Sequence, residues 1–338
     1  MTPDELLARL DAIPRVTLAH LPTPLEAAPG LSAALGGPEI WLKRDDLTGL
    51  AFGGNKTRQL EYVFADIRAK GADTVIGSAY TQSNWCRQMT AAARKLGLDI
   101  HLVLLHGEKG PALQGNFLLY RLMGAEIEVV DLSSLEEVHP LLEAKAARLR
   151  EAGRKPYIVG PMETENLVTG TLGYVRAAVE LHGQLEAAGM APSHLYVAGA
   201  NMTPAGFALG FELLGREISI QNIAPIKWQS DRAWDIARIA TATARRLGLE
   251  TTIEPAAISS SDDYIGPRYG VVTDATREAL ALTARTEGVI LDPVYSGKAM
   301  AGLIDHVRKG RLTAKDQVVF VHTGGTPALF AYAEDVVD

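Results

Sequence analysis

The chain alternates short apolar runs with longer amphipathic runs from residue 39 to its end. Short apolar runs are typical of buried strands, and longer runs with one apolar face are typical of helices. Strands that alternate with helices form βαβ units and mainly parallel sheets, so we predict an α/β fold. Strands are predicted at 39–43, 74–77, 100–105, 126–130, 157–159, 194–198 and 318–321. Helices are predicted at 56–70, 84–96, 112–123, 135–152, 170–187, 203–214, 232–247, 274–286 and 297–309, with a last one from residue 326.

Two stretches rich in Gly, Thr or Pro interrupt this pattern, at 50–55 and 160–170. Such residues break secondary structure and often mark linkers. We therefore expect a smaller α/β domain at 56–160, which is an ordinary size for a domain. The larger domain would combine residues 1–55 with residues 161–338.

Composition excludes several classes of partner. The chain of 338 residues has a formal net charge of -7 and a single cysteine, Cys86. An acidic protein lacks the basic surface that non-specific binding to nucleic acid or to an anionic membrane requires. The sequence shows no uncharged apolar run of membrane-spanning length and no signal-peptide pattern at its start. One cysteine and no cysteine–histidine cluster predict no disulfide, no metal site and a cytoplasmic location.

Five polar loops stand at the ends of strands, before helices. They are residues 53–58, 82–84, 199–206, 292–298 and 322–326. In open parallel sheets, ligands bind beyond the carboxyl ends of the strands, where such loops converge. One polar loop means little by itself, but five of them, one with a lysine, predict a binding site.

Lys56 stands directly behind Gly53, Gly54 and Asn55 at the predicted start of a helix. Most lysines in such positions are simply solvated. The two glycines allow close approach of a ligand, and a lysine in an apolar cleft has a lowered pKa and can attack a carbonyl. The spacing also approaches that of a phosphate-binding P-loop, but the extra Asn55 breaks that pattern. The sequence therefore makes Lys56 a candidate Schiff-base lysine of an enzyme with a carbonyl cofactor.

The loops at 82–84 and 199–206 each open a predicted helix. Ser83 or Asn84 is expected to cap the first helix by accepting hydrogen bonds from its free amides. The same amides suit a carboxylate or a phosphate, so both loops also have the features of an anion site. For 199–206, an ordinary βα loop and a phosphate site are equally good interpretations.

Several motifs resemble those of one enzyme family. They are residues 43–49 (KRDDLTG), 53–58 (GGNKTR), 82–84 (QSN), 292–295 (DPVY) and 322–325 (HTGG). In order and spacing they resemble the D-cysteine desulfhydrase and 1-aminocyclopropane-1-carboxylate (ACC) deaminase family. These are pyridoxal-phosphate enzymes of fold type II, the tryptophan-synthase-β fold. The resemblance implies two α/β domains with mainly parallel sheets, pyridoxal phosphate in the cleft between them, a small amino-acid substrate and a homodimer.

The resemblance also implies a role for each matching residue. Lys56 resembles the Schiff-base lysine and α-proton base, Ser83 a serine that takes part in proton transfer, and Asn84 the partner of the cofactor's phenolic oxygen. Tyr269 and Tyr295 resemble two tyrosines that flank the substrate, so they join Lys56 and Ser83 as candidate catalytic residues. The implied cofactor-binding residues are Asn55, Lys56, Asn84, Gly199, Ala200, Asn201, Met202, Thr203 and Thr323, and the implied substrate-binding residues are Ser83, Asn84, Trp85, Glu163, Tyr269 and Tyr295.

Two positions bear on the reaction that the resemblance implies. Thr323 matches the hydroxyl partner of the pyridine nitrogen in the desulfhydrase branch, whereas the ACC deaminase branch has a glutamate where this chain has Ser296. A hydroxyl does not hold that nitrogen protonated, which favours prompt loss of a β-substituent. The resemblance thus favours β-elimination from a cysteine-like amino acid, giving a 2-oxo acid and ammonia. ACC deamination, L-cysteate sulfo-lysis, racemisation and a non-catalytic amino-acid-binding role are the alternatives.

The chain departs from the family pattern after the QSN motif, in the phosphate loop and at 161–166. Trp85 either packs against a neighbouring helix or reshapes the pocket, and Cys86 is expected to be a buried packing thiol. Met202 stands in a loop that is glycine-rich in the family, and methionine tolerates positive φ poorly, so we expect either a different loop backbone or a slightly displaced phosphate. Glu163 is either solvated or disfavours an anionic leaving group such as sulfite.

Overall fold

The computed structural model describes residues 1–160, 164–228 and 230–337. Within these ranges, ten strands form two sheets. The strands are β1 (Leu25–Ala27), β2 (Glu39–Lys43), β3 (Thr74–Tyr80), β4 (Asp99–Leu105), β5 (Glu126–Val130), β6 (Pro156–Val159), β7 (His194–Ala198), β8 (Ser219–Ile223), β9 (Ile258–Ser261) and β10 (Gln317–Val321).

Helices separate most of the strands. They are α1 (Pro3–Asp11), α2 (Pro29–Leu35), α3 (Lys56–Ala69), α4 (Asn84–Lys95), α5 (Gly115–Leu122), α6 (His139–Glu151), α7 (Thr164–Ala188), α8 (Met202–Leu214), α9 (Arg232–Arg246), α10 (Asp274–Glu287), α11 (Ser296–Arg308), α12 (Thr326–Leu329) and α13 (Ala333–Val336). None of the described helices is both long and apolar enough to cross a membrane.

One sheet has six strands in the order β1-β2-β10-β7-β8-β9, and the other has four in the order β5-β4-β3-β6. All neighbouring strands are parallel except β1 and β2, which are antiparallel. The α/β fold with mainly parallel sheets is therefore confirmed. The four-stranded sheet uses residues 74–159, which fall inside the predicted smaller domain, but the domain boundaries themselves stay a prediction.

The central strand β10 shows how the larger sheet is buried on both faces. Val318 and Phe320 pack into a cluster with α10 and α11, while Val319 and Val321 pack into a second cluster with α7 and α8. Alternate side chains of a strand point to opposite faces, so a strand covered on both sides needs apolar residues throughout. This is why the run VVFV predicts a strand so clearly.

Three strands have no counterpart in the sequence prediction. The short β1 has no buried residue. The strand β8 alternates polar with apolar side chains, and β9 consists mostly of serine. Each gains its strand structure from pairing with a neighbour rather than from its own apolar pattern. The helices α1 and α2 were likewise not predicted, although Thr2 and Glu5 form a capping box at the start of α1.

The predicted linker at 160–170 is partly wrong, because α7 begins at Thr164. Gly170 and Gly173 lie inside this helix, where they allow neighbouring elements to come close. A Cβ on Gly170 would lie 2.5 Å from the sulfur of Met202, and one on Gly173 would lie 2.3 Å from the carbonyl oxygen of Arg58. The glycines therefore mark tight packing of α7 against α3 and α8, not a flexible connection.

Candidate active site

The loops that follow β3, β7 and β10 line one cavity with the start of α3. The structure brings twelve of the fourteen predicted site residues to its wall: Asn55, Lys56, Ser83, Asn84, Trp85, Gly199, Ala200, Asn201, Met202, Tyr269, Tyr295 and Thr323. Thr203 lies just behind the wall and is buried. Glu163 lies outside the described residues, as do Pro161 and Met162.

Two glycines place Lys56 at the cavity. Gly53 and Gly54 have φ values of 66° and 125°, which side chains other than glycine rarely adopt. A Cβ on Gly53 would lie 2.0 Å from the backbone carbonyl oxygen of Asp46, and one on Gly54 would lie 2.5 Å from the side-chain Nε2 of Gln88. The chain then turns into α3, and Lys56 is the first residue of that helix.

Lys56 is half-buried and lines the cavity. Burial lowers its pKa to about 8, and no other described residue pairs with its amine. The pKa of Lys298 is also lowered to about 8, but its amine donates to the carbonyl oxygens of Ile265 and Val271. Lys43 donates to Glu180 at 2.5 Å. Of these three lysines, only Lys56 is placed to react with a ligand.

A buried network fixes the side chain of Asn84. Its Oδ1 accepts hydrogen bonds from Arg87 Nη1 and Asn116 Nδ2, both at 2.9 Å. Because arginine can only donate, the Asn84 oxygen must face Arg87, and its Nδ2 is left to donate elsewhere. Arg87 also donates to the carbonyl oxygen of Gly53 at 2.7 Å, which ties this network to the loop before Lys56. Neither Arg87 nor Asn116 was predicted, although Arg87 lies three residues after Asn84 on the same face of α4.

The loop after β7 leads into the N-terminus of α8. Asn201 has a φ of -160° and not a positive one, and its Oδ1 accepts from the Met202 amide at 2.7 Å. Met202 is already helical, so the expected conflict between methionine and positive φ does not arise. A Cβ on Gly199 would lie 2.5 Å from Cδ of Pro204. The loop thus keeps one essential glycine and still presents a helix N-terminus to the cavity, which suits an anion.

Thr203 lies under this loop with its hydroxyl engaged. Its Oγ1 accepts from Asn55 Nδ2 and from Gln59 Nε2, both at 2.9 Å. A hydroxyl that accepts two hydrogen bonds still has its own proton to donate. Direct contact between that proton and a phosphate stays a prediction.

Three tyrosines form one side of the cavity. The hydroxyls of Tyr269 and Tyr295 lie 2.9 Å apart, and the ring of Tyr80 stacks on that of Tyr269 with centroids 4.7 Å apart. Burial raises the pKa of both hydroxyls above the ordinary tyrosine value. Both tyrosines are therefore protonated at neutral pH.

Three residues that depart from the family pattern, Trp85, Cys86 and Glu165, are described in the structure. Trp85 packs against two apolar clusters and also lines the cavity. Its packing role is thus seen, and a reshaped pocket stays a prediction. Cys86 is fully buried, and burial raises its pKa to about 12, as expected for a packing thiol. Glu165 is exposed and pairs with Lys70 at 3.2 Å.

A family of known enzymes matches most of the chain. The family described as pyridoxal-phosphate dependent enzymes matches residues 16–324. The chain belongs to this family. A crystal structure of an ACC deaminase homologue superposes with a TM-score of 0.90 at 37% sequence identity, over 99% of this chain and 99% of the other.

Two more distant structures share the fold. The processed form of threonine deaminase isoform 2 from Solanum lycopersicum has a TM-score of 0.64 at 16% identity, over 96% of this chain and 84% of the other. Diaminopropionate ammonia lyase from Escherichia coli in its apo form has a TM-score of 0.66 at 17% identity, over 99% of this chain and 90% of the other. These two likenesses show the shared fold, and the family match shows that the protein is a pyridoxal-phosphate dependent enzyme.

The residues at the cavity fit pyridoxal phosphate. It needs an amine for its carbonyl, donors for its phosphate and a donor for its phenolic oxygen, and Lys56, the α8 N-terminus and Asn84 Nδ2 supply these chemistries. Ser78 Oγ and Trp228 Nε1 are buried at the same cavity without a partner among the described residues. Buried polar atoms normally have partners, so these two are also consistent with a polar ligand.

Proposed function

We propose that the enzyme eliminates a β-substituent from a cysteine-like amino acid and releases a 2-oxo acid and ammonia. The observation that carries this proposal is the lack of a carboxylate among the described residues that line the cavity. Lys56 is the one charged side chain of that described lining, and Thr323 contributes a hydroxyl. A hydroxyl beside the cofactor ring favours early loss of a leaving group over a long-lived carbanion.

The substitution at Ser296 supports the same reaction. Ser296 is fully buried, donates its hydroxyl to Asp292 Oδ1 at 2.7 Å and accepts from the Asp292 amide at 2.8 Å. It therefore stabilises the turn before α11 and does not line the cavity. The family resemblance implies a glutamate at this position in the ACC deaminase branch.

Each predicted catalytic residue has a defined part in this proposal. When bound, pyridoxal phosphate withdraws electrons from the substrate Cα. Lys56 would bind the cofactor through its amine and take the Cα proton, because its lowered pKa leaves part of the amine unprotonated near neutral pH. Ser83 would assist that proton transfer, and Tyr295, paired with Tyr269, would donate a proton to the leaving group. Asn84 would orient the cofactor.

ACC deamination is the second candidate, because the structure with a TM-score of 0.90 and 37% identity is an ACC deaminase homologue. Cysteate sulfo-lysis, racemisation and a non-catalytic role are weaker alternatives. We also propose a cytoplasmic homodimer with the domain boundaries predicted above, based on the family resemblance and on the single cysteine.

A substrate screen tests the proposal. The protein loaded with pyridoxal phosphate is given D- and L-cysteine, β-chloroalanine, diaminopropionate, cysteate and ACC, and 2-oxo acid and ammonia are measured. We expect pyruvate from the cysteine-like compounds and none from ACC. Conversion of ACC as the best substrate, or amino-acid inversion without 2-oxo acid, would contradict the proposal.

Lys56→Ala is the companion variant, with Lys95→Ala on the exposed end of α4 as its control. The first should lose both the visible absorbance of the bound cofactor and the release of 2-oxo acid. The second should keep both. Survival of both signals in Lys56→Ala removes Lys56 from the reaction.

A further inference from the structure

We infer that the preferred substrate is an S-alkyl or S-aryl cysteine, in which the leaving sulfur carries an apolar or aromatic group. This inference rests on the proposed β-elimination and adds the class of leaving group. Its basis is the wall of the cavity, where large apolar side chains come from separate parts of the chain: Trp85, Val159, Leu135, Leu167, Ile226 and Trp228.

The described wall offers no free cation to an anionic leaving group. Among the described lining residues, Lys56 carries the one charge, and the cofactor and the Cα proton already require its amine. An anionic group such as sulfonate would have to lose its water without gaining a cation, which is costly. A bare thiol would be tolerated but would leave most of the apolar wall in contact with water. An apolar substituent gains about 25 cal/mol for each Å² that it buries there.

Trp228 packs against Arg232 in this wall. The guanidinium of Arg232 lies over its ring, 4.8 Å from the centroid, and Arg232 pairs in turn with Asp235. The indole Nε1 is buried and has no partner among the described residues. A flat indole is a suitable surface for stacking an aromatic ring.

The cavity also has room for a substituent longer than a thiol. An adjoining groove shares Tyr80, Leu135, Ile226, Trp228 and Tyr269 with it, so the same side chains line the way outward. Farther out, the groove is lined by one ion pair, between Glu108 and Arg268. The other charged residues of its lining are three carboxylates, Glu136, Asp262 and Asp263, and one amine, Lys227. This excess of carboxylates would repel an anionic substituent that extends into the groove.

The proposed reaction balances with water as the co-reactant. The Cα–H bond breaks and the proton goes to Lys56, and the Cβ–S bond breaks with its electron pair staying on sulfur. The thiolate takes a proton from Tyr295 and leaves as a thiol, and solvent then restores the proton of Tyr295 and accepts the one on Lys56. The released three-carbon enamine reacts with one water to give pyruvate and ammonia, and no oxidant or reductant is needed.

The test compares kcat/KM for S-benzylcysteine, cysteine and cysteate, each as both enantiomers, on the loaded enzyme. We expect S-benzylcysteine to exceed cysteine by about tenfold or more, the scale at which apolar pockets discriminate, and cysteate to be poorest. Substrate binding is followed separately by the change in visible absorbance of the bound cofactor. Trp228→Ala should bring the ratio of kcat/KM for S-benzylcysteine to kcat/KM for cysteine close to one. Trp228→Phe should keep part of the preference for S-benzylcysteine.

The control variant is Trp234→Ala, since Trp234 is exposed on α9 and does not line the cavity. It should leave the ratio unchanged. If cysteine or cysteate is turned over as well as S-benzylcysteine, this inference is wrong while the β-elimination stands. If none of the compounds yields 2-oxo acid, the proposed function fails and the inference falls with it.

Discussion

Arg87 donates a hydrogen bond of 2.9 Å to the side-chain oxygen of Asn84 at the edge of the cavity. This bond decides which end of the Asn84 amide faces the cofactor site, because the guanidinium cannot accept. Arg87 is fully buried, and burial lowers its pKa to about 10, so it stays charged at neutral pH. We therefore regard Arg87 as a positioning residue for Asn84.

Replacing Arg87 by Met should free the Asn84 amide to turn. We expect the affinity of the apoprotein for pyridoxal phosphate to fall about tenfold, since a lost hydrogen bond to a buried polar group costs about 1–3 kcal/mol. The visible absorbance maximum of the bound cofactor should also shift. Arg121→Met, at an exposed position of α5, is the control and should change neither. An unshifted spectrum in Arg87→Met would show that Asn84 is held by other contacts.

The hydroxyl pair of Tyr269 and Tyr295 should matter for turnover and not for cofactor binding. Tyr295→Phe keeps the ring but removes the proposed proton donor, so kcat should fall about 100-fold, the lower end of general acid–base contributions. Tyr269→Phe should have a smaller effect, because it removes only the partner at 2.9 Å. Steady-state kinetics on both variants make the comparison. Tyr264→Phe, whose hydroxyl bonds to Asp305 at 2.6 Å, should be neutral for kcat, and equal losses in all three variants would refute the assignment.

Arg58 holds the first turn of α3, two residues after Lys56. Its Nε and Nη2 donate to the two oxygens of Asp45 at 3.0 and 2.9 Å, and both residues are buried. Arg58→Met leaves Asp45 buried without this partner, and we expect the free energy of unfolding to fall by about 3–5 kcal/mol. Arg308→Met, which breaks an exposed pair with Glu278, should cost at most about 1 kcal/mol. Urea unfolding followed by circular dichroism measures both, and comparable losses would contradict a structural role for the buried pair.

The lowered pKa of Lys56 predicts the pH dependence of cofactor uptake. Burial disfavours the protonated amine, so the pKa is about 8 and the reactive, unprotonated form becomes tenfold rarer for each pH unit below it. The rate at which apoprotein takes up pyridoxal phosphate should therefore rise towards pH 8 and level off above it. Stopped-flow absorbance measures this rate. A rise that continues to about pH 10, near the ordinary lysine value, would show that Lys56 is not desolvated.

Part of the site could be predicted because three of its loops follow strongly apolar strands, whereas the prediction that the loop at 292–298 ends a strand is wrong, since no described strand lies between α10 and α11. The strands β3, β7 and β10 are apolar runs buried on both faces, so the sequence shows where each strand ends and its loop begins. The strand β9 (Ile258–Ser261) could not be predicted, because three serines carry no apolar pattern and the strand exists only through pairing with β8 (Ser219–Ile223).

The supporting residues were harder to predict than the residues at the wall. Arg87 and Asn116 meet Asn84 through contacts between α4 and α5, which no local spacing encodes. Trp228 lies in the loop after β8, a strand that was itself missed. The glycines of α7 misled the prediction for a related reason, since their role is close packing against Arg58 and Met202 and this is a tertiary property.

The central claim is that Lys56 is the covalent anchor of pyridoxal phosphate. The direct measurement is borohydride reduction of the loaded wild-type enzyme, followed by peptide mapping by mass spectrometry. The account predicts a pyridoxyl phosphate group on the peptide that carries Lys56. Labelling of Lys298, the other lysine with a pKa lowered to about 8, or no stable labelling at all, would contradict it.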